Sequence, residues 1–425
     1  MLDRYDFFSP GQIAFGWGRR SELGRLAAAH GRRAFVISGS RTLERSPTFG
    51  ELLDSVRSAG ISVELVATIS REPEVSDVDE LVADLLRLGV CASDCLIAVG
   101  GGSAIDLAKA ASALVTNRGS STVKDYLEGV GAGLQIEEQP VPLIAVPTTS
   151  GTGTEATKNA VISSYDPPFK KSLRSPLMIP RAVLIDPELS VGLSPQTTAY
   201  TGMDAITQLI ESFISRRSQP IPDALCLQGI ALALPAIIEA VEHGESQSAR
   251  TAMSHAALLS GIALANSGLG MAHGVAAALG VHAKIPHGLA CAVMLPVAMR
   301  VNRPVVGDRL AQLGRTMHSA LQAAVVSQSG ADSRADLSKI LAIPDERSLD
   351  DDSAVEFAVR TIETICRRVK IPATLTEVGV ARDQIPDIVK SSRGNSMSGN
   401  PRDLTDTELT TVLTEITDVA HARCS

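Results

Sequence analysis

The chain has 425 residues, of which 44 % are hydrophobic, 20 % charged and only 3 % aromatic. At roughly 100–200 residues per domain, this predicts two or three domains with cores filled by Ala, Leu, Val and Ile. The net charge of −8 argues against a nucleic-acid partner, because phosphate backbones require clustered Lys and Arg.

The N-terminal run MLDRYDFFSPGQIAFGWG carries early charges and no long apolar stretch, so it does not read as a signal peptide. No stretch of about 20 residues reads as apolar enough to span a bilayer, and no membrane partner is expected. Gly261–Gly280 comes nearest, interrupted by Asn266, His273 and several glycines. The six cysteines show no zinc-ribbon or disulfide spacing. They are expected to be reduced thiols of a cytoplasmic protein.

The first half alternates short apolar runs with helical stretches. Arg33–Ser38, Ser62–Val66, Cys95–Val99 and Pro142–Val146 read as strands. Between them, Glu22–His30, Thr48–Ala59, Val75–Leu88 and Ala104–Val115 read as helices. Continuous apolar strands alternating with helices predict a parallel sheet covered on both faces. From Ser194 onward the pattern is helical: Thr197–Ser215, Ile221–Glu242, Ser248–Ala265, Gly270–Val281, Leu289–Val301, Asp308–Val326, Ser353–Val369, Ala381–Ser392 and Thr407–Ala422. The expected division is an α/β domain over 1–193 and an all-α domain over 194–425. The polar stretch Gln328–Asp352 reads as a surface loop or insertion.

The strongest local signal is Cys95–Lys109, CLIAVGGGSAIDLAK. A strand runs into three glycines and a serine, and then a helix begins. Glycine lets backbone approach a ligand closely, and a helix N-terminus suits a pyrophosphate. The spacing is not the G-x-G-x-x-G fingerprint, and a tight strand-to-helix turn without a ligand would look similar. A second loop, AVPTTSGTGTEA over Ala145–Ala156, brings hydroxyls and glycines to another strand end. Open α/β sheets bind ligands at such ends, so the two loops together predict a nucleotide site.

GGGSAIDLAK, PTTSGTGTEA, IPRAVLIDPEL (Ile179–Leu189), TGMDAITQLIES (Thr201–Ser212), GLGMAHG (Gly268–Gly274), IPHGLACAVMLP (Ile285–Pro296) and GNPRDLT (Gly399–Thr405) occur in this order. The set resembles that of the iron-containing alcohol dehydrogenases. The resemblance implies a Rossmann-like α/β domain followed by a helical domain that carries metal and substrate, in a homodimer or higher homo-oligomer. It implies that Gly101, Gly102 and Ser103 touch the pyrophosphate and that Thr148, Thr149 and Thr152 line the nicotinamide side. Lys170, or its neighbour Lys171, matches the lysine that reaches the ribose. Gly39, Ser40, Asp106 and Leu189 fall at further cofactor positions. Many members carry an aspartate after the first of these strands; here Gly39-Ser40-Arg41 follows. Without an acid to repel a 2′-phosphate, NADP(H) is favoured over NAD(H).

The resemblance maps Asp204, Gln208, His273 and His287 onto the metal ligands, usually one aspartate and three histidines. Asp204, His273 and His287 are also the expected catalytic residues. Gln208 stands where a histidine is usual, and its amide oxygen is a weaker partner for a transition metal than imidazole. Ala277 replaces a further histidine common near the substrate. Two readings follow. A divalent ion, zinc or iron, is held by Asp204, His273 and His287 with Gln208 as a weak fourth partner; zinc outcompetes iron at equal availability. Alternatively the metal is lost and the two histidines act by hydrogen bonding and proton transfer. The expected reaction is hydride transfer between NAD(P)H and a small aldehyde or ketone. The alternatives are a metal-independent reductase, a lyase of the same fold in the manner of dehydroquinate synthase, or a non-catalytic nucleotide-binding protein.

Overall fold

Of the apolar runs of the first half, the central ones form strands that bury both faces at once, whereas Ser62–Thr68 forms at a sheet edge and stays largely exposed. In the computed structural model, which describes residues 4–327, 341–344 and 349–418, they assemble into one six-stranded sheet. Its strands are β1 (Gln12–Phe15), β2 (Arg33–Ser38), β3 (Ser62–Thr68), β4 (Cys95–Gly100), β5 (Leu143–Pro147) and β8 (Ala182–Ile185). The spatial order is β1-β8-β5-β4-β2-β3, and every pairing is parallel. Between β5 and β8 lies an antiparallel hairpin of β6 (Asn159–Tyr165) and β7 (Pro168–Arg174). The predicted parallel sheet is found. β1, β8 and the hairpin add to the four expected strands.

Alternate side chains of the central strands feed two cores. Phe35, Ile37, Leu96 and Ala98 pack with the helices Val75–Arg87 and Gly102–Thr116. Ala34, Val36, Ile97 and Val99 pack with Leu23–His30 and Pro47–Ser58. Burial on both faces explains the unbroken hydrophobicity of β2 and β4.

The strand order reverses between β2 and β4. The chain leaves β2 for β3 on one side, then returns past β2 to β4 and continues to β5 on the other. The connections after β2 and β4 therefore diverge, which opens a crevice at the carboxyl ends of these two strands. Both glycine-bearing ends, Gly39 and Gly100–Gly102, lie there.

The chain divides into two compact units, Phe8–Gly192 and a second that holds Leu193 onward together with the first few residues. The second unit is helical throughout its described residues. Its helices are Pro195–Ile214, Pro220–Glu242, Gln247–Asn266, Met271–Ala283, His287–Ser327, Asp351–Arg368, Ile385–Ser391 and Asp406–Asp418. The two helices expected over 289–301 and 308–326 form one span broken at Val306, two residues after Pro304. Most of the expected loop 328–352 lies outside the described residues.

One expectation is corrected. The helices Pro220–Glu242 and His287–Val326 are long and apolar enough, by length and composition, to cross a bilayer. More than half of the qualifying window in each is buried. In a core with few aromatics, Ala, Leu and Ile must fill the space between helices, so a central helix becomes apolar nearly all round. The Gly261–Gly280 stretch falls instead across two helices bent by 99°.

Candidate active site

In the α/β unit, the crevice between β2 and β4 is made by backbone meeting backbone. The Gly39 N–H donates to the Val99 carbonyl at 2.8 Å, and the Thr148 N–H to the Gly100 carbonyl at 3.0 Å. A Cβ on Gly39 would lie 2.8 Å from the Gly100 Cα. A Cβ on Gly101 would lie 3.3 Å from the Thr149 side chain, and one on Gly102 2.9 Å from the Thr152 hydroxyl. These glycines therefore let the three strand ends close on one another. Gly101 starts the Gly102–Thr116 helix with no side-chain cap, so the first-turn N–H groups at Gly102 and Ser103 remain available to an anion. Gly39, Gly101, Gly102, Ser103, Thr148, Thr149 and Thr152 are thus brought together.

Ser40 opens the short helix Arg41–Glu44, its hydroxyl accepting from the Leu43 N–H at 3.0 Å, and Arg41 is exposed beside it. Asp106 is buried on the Gly102–Thr116 helix and accepts from the Thr154 hydroxyl at 3.1 Å, bracing the threonine loop. Burial pushes its carboxyl up and the Lys109 ammonium down, each partly offset by the other's charge. Lys109, which sequence reasoning passed over, donates to the Thr157 carbonyl and hydroxyl at 2.7 and 2.8 Å and to the Asn159 carbonyl at 3.1 Å. Lys170 stands opposite Ser163 in the hairpin and pairs with Glu72. Leu189 packs against the sheet core.

In the helical unit, Asp204, Gln208 and Glu211 lie at i, i+4 and i+7 of the Pro195–Ile214 helix, on one buried face. Glu211 points at the start of the Met271–Ala283 helix. Its carboxylate accepts from the Ala272 and His273 N–H groups at 2.6 and 3.2 Å and from His273 Nδ1 at 2.7 Å. Asn400 Oδ1 takes the remaining Met271 N–H at 3.0 Å. A Cβ on Gly270 would lie 2.8 Å from Glu211 Oε1 and 2.9 Å from Asn400 Oδ1. The motifs GLGMAHG and GNPRDLT therefore meet around this helix end.

With its proton on Nδ1, His273 turns Nε2 toward Asp204 Oδ1, 3.2 Å away. His287 Nε2 lies 3.9 Å from the same oxygen, and Cys291 Sγ lies 3.7 Å from His287 Nε2. One ligand atom from each of Asp204, His273, His287 and Cys291 falls within 4.8 Å of the others. Asp204, His273 and Cys291 are buried, and His287 is partly exposed. Gln208 is buried one turn from Asp204, with Oε1 3.0 Å from the Ser260 hydroxyl. Ala277 sits one turn beyond His273.

The charges agree with this geometry. Burial works against the Asp204 carboxylate, yet His287 and His273 hold it below the usual carboxylate range. Burial also works against a charged His273, but Cys291, Asp204 and Glu211 push it well above the usual imidazole range. Burial pushes the Cys291 thiol up to about 12.

Residues 10–187 match the family described as iron-containing alcohol dehydrogenase, and residues 198–417 match its C-terminal domain. The chain belongs to the iron-containing alcohol dehydrogenase family. It is 34 % identical over 319 residues to a probable alcohol dehydrogenase, EutG, of Escherichia coli, covering 75 % of this chain and 78 % of that protein. It is 30 % identical over 403 residues to choline dehydrogenase of Bacillus subtilis, covering 95 % and 92 %. Its fold matches the solved sulfoacetaldehyde reductase of Bifidobacterium kashiwanohense in complex with NAD+, with a TM-score of 0.81 and 26 % identity over 98 % and 99 % of the two chains. As a family member it is an oxidoreductase that interconverts an alcohol with its carbonyl compound, using a nicotinamide cofactor and a divalent metal.

The residues present fit such an ion. A four-coordinate zinc with N and O partners at about 2.0–2.1 Å and S at about 2.3 Å has ligand-to-ligand separations of about 3.3–3.6 Å. The separations of 3.2, 3.9 and 3.7 Å bracket that range. The Glu211–His273 bond is the carboxylate–histidine arrangement that aims the other ring nitrogen at a metal.

Proposed function

We propose that hydride passes between a nicotinamide dinucleotide held by Gly39, Ser40, Gly100–Ser103 and Thr148–Thr152 and a small alcohol or aldehyde activated at Asp204, His273 and His287. The observation that carries this is the convergence of two imidazoles on one buried carboxylate, with Glu211 fixing the tautomer of His273. In the reductive direction the nicotinamide, when bound, would supply the hydride that forms the new C–H bond at the carbonyl carbon. The carbonyl π pair moves to oxygen, which takes a proton from water. A divalent ion, when bound, supplies polarisation of that oxygen. Asp204, His273 and His287 would hold it. Asp204 contributes charge, Glu211 keeps His273 Nδ1 protonated and Nε2 inward, and the partly exposed His287 marks the side open to substrate and water.

We further propose NADP(H) over NAD(H). No acid stands directly after β2, where Gly39, Ser40 and the exposed Arg41 follow its end. The expected outcome is a kcat/KM for NADPH above that for NADH on a panel of short aldehydes. A strong NADH preference would reverse the assignment. Arg41→Ala should narrow the gap by about 10-fold, the loss of one charge-assisted hydrogen bond. The unpatterned cysteines support a cytoplasmic location, and the family resemblance supports a homodimer or higher homo-oligomer, which light scattering of the purified chain tests.

A second reading deserves its own test, because His273 lies between Asp204 and Glu211 and is pushed well above the usual imidazole range. A protonated His273 could donate to both carboxylates without an ion. Protein stripped of metal and assayed in a chelator decides: full activity removes the metal from the reaction, and loss restored by zinc retains it.

A further inference from the structure

We infer that Cys291 is the fourth protein ligand of the divalent ion, in the place the family pattern would give to residue 208, and that the resident ion is zinc. The inference rests on the reading that Asp204, His273 and His287 hold a metal.

The first argument is position. Cys291 follows His287 by one helical turn, so both project from the same face of the His287–Ser327 helix. Its sulfur reaches the other three donors within 4.8 Å and lies 3.7 Å from His287 Nε2, close to the edge of a tetrahedron with one sulfur. Gln208 presents its oxygen at 3.0 Å to the Ser260 hydroxyl. The second argument is surroundings. A fully buried cysteine ordinarily sits among apolar side chains as a small hydrophobe. Cys291 is fully buried, yet it lies against Asp204, His273 and His287.

The third argument is charge. A divalent ion held by one carboxylate, two neutral imidazoles and a neutral amide keeps one positive charge that its own ligands do not compensate. Thiolate in the amide's place neutralises the ion within its ligand shell and leaves Glu211, one ring away, to face the positive start of the Met271–Ala283 helix. On binding, the Cys291 S–H bond breaks, the S–metal bond forms, and the proton goes to buffer. A soft sulfur beside two imidazoles favours zinc over iron.

The test uses the full chain, stripped with a chelator and refilled with one equivalent of Co2+ as a spectroscopic stand-in for zinc. Expected is one cobalt per chain and a thiolate-to-cobalt charge-transfer band in the near ultraviolet. Cys291→Ser should lose the band while still binding cobalt. Its zinc affinity, read by competition with a chromophoric chelator, should fall by about 100-fold or more, at or above the effect of removing an outer-shell partner. Gln208→Ala should keep the band. One cobalt per chain without the band, in the unaltered protein, overturns thiolate ligation while the metal reading stands. No stoichiometric cobalt overturns the metal reading and this inference together. The unaltered protein's spectrum answers the question even if a variant fails to fold, and iron in place of zinc in protein purified without added metal overturns the choice of ion.

Discussion

Glu211 lies two turns beyond Asp204 on the same face and acts at two sites with one carboxylate. It neutralises the positive end of the Met271–Ala283 helix through the Ala272 and His273 N–H groups, and it fixes the His273 ring through Nδ1. Glu211→Gln keeps an oxygen for one N–H but weakens the charge-assisted bond to the ring. We expect zinc affinity to fall by about 10–100-fold, with the far-ultraviolet circular dichroism unchanged. The competition titration described for Cys291 measures this. An unchanged affinity would make Glu211 a helix cap only. Spacing alone made part of this legible. Asp204 and Gln208 stood out at a helical interval, whereas Glu211 was passed over and Cys291 read as a plain reduced thiol, because a sequence does not say which helix faces which. Glu211 becomes meaningful only once the Met271 N-terminus is aimed at it. Cys291 becomes meaningful only once His273 from another helix closes the cluster.

At the scale of elements, the rhythm of strand and helix was readable because parallel strands buried on both faces leave long apolar runs. β1 and β8 were not. Each has four residues, and β1 lies at the sheet edge, where Ile13 is half exposed. The polar β7, PFKKSLR, forms from pairing with β6 rather than from its own pattern. The strand ends carry two predictions. Gly39 admits no side chain because the Gly100 backbone is 2.8 Å from where its Cβ would be. Gly39→Ala must push β2 and β4 apart, and an overpacking cost of about 1–3 kcal/mol is expected. The KM for the dinucleotide should rise with it, whereas an unchanged KM would separate this crossing from the cofactor. At the other end of β2, Arg33 pairs with the buried Asp94 at 2.7 Å, and Asp94 also accepts from the Cys91 N–H at 3.0 Å. Burial works against the Asp94 carboxylate, but these partners hold it below the usual carboxylate range. A carboxylate depressed in the folded state stabilises fully above its unfolded value of about 3.9 and loses that contribution as pH falls through the folded value. Asp94→Asn should therefore cost about 1–3 kcal/mol at pH 7, with the difference from the unaltered chain shrinking toward pH 3.5. Urea melts at both pH values check it. A gap that stays constant would trace the loss to shape rather than charge.

For the whole molecule, the two compact units carry two kinds of ligand apparatus with different physics. Phe8–Gly192 offers backbone N–H groups and hydroxyls, suited to a dinucleotide; the unit from Leu193 offers a carboxylate, imidazoles and a thiol, suited to an ion. Each ligand stabilises what it binds by mass action, about 2.7 kcal/mol at 100 times its Kd. That gain is spent locally, so it appears as slower hydrogen exchange in the segments that must open to release the ligand. We expect zinc alone to protect peptides from the helices Pro195–Ile214, Met271–Ala283 and the start of His287–Ser327. We expect NADPH alone to protect Gly39–Leu43, Gly100–Ala104 and Thr148–Thr154. Exchange measured by mass spectrometry on the apo chain, on each binary complex and on the Asp204→Asn variant checks both. Zinc protection that survives in Asp204→Asn would place the ion elsewhere, and NADPH protection absent from Gly100–Ala104 would take the dinucleotide away from the strand-order reversal. The Asp204→Asn control separates the two, because it removes one anionic ligand of the ion and leaves every glycine and threonine of the nucleotide loops as it is.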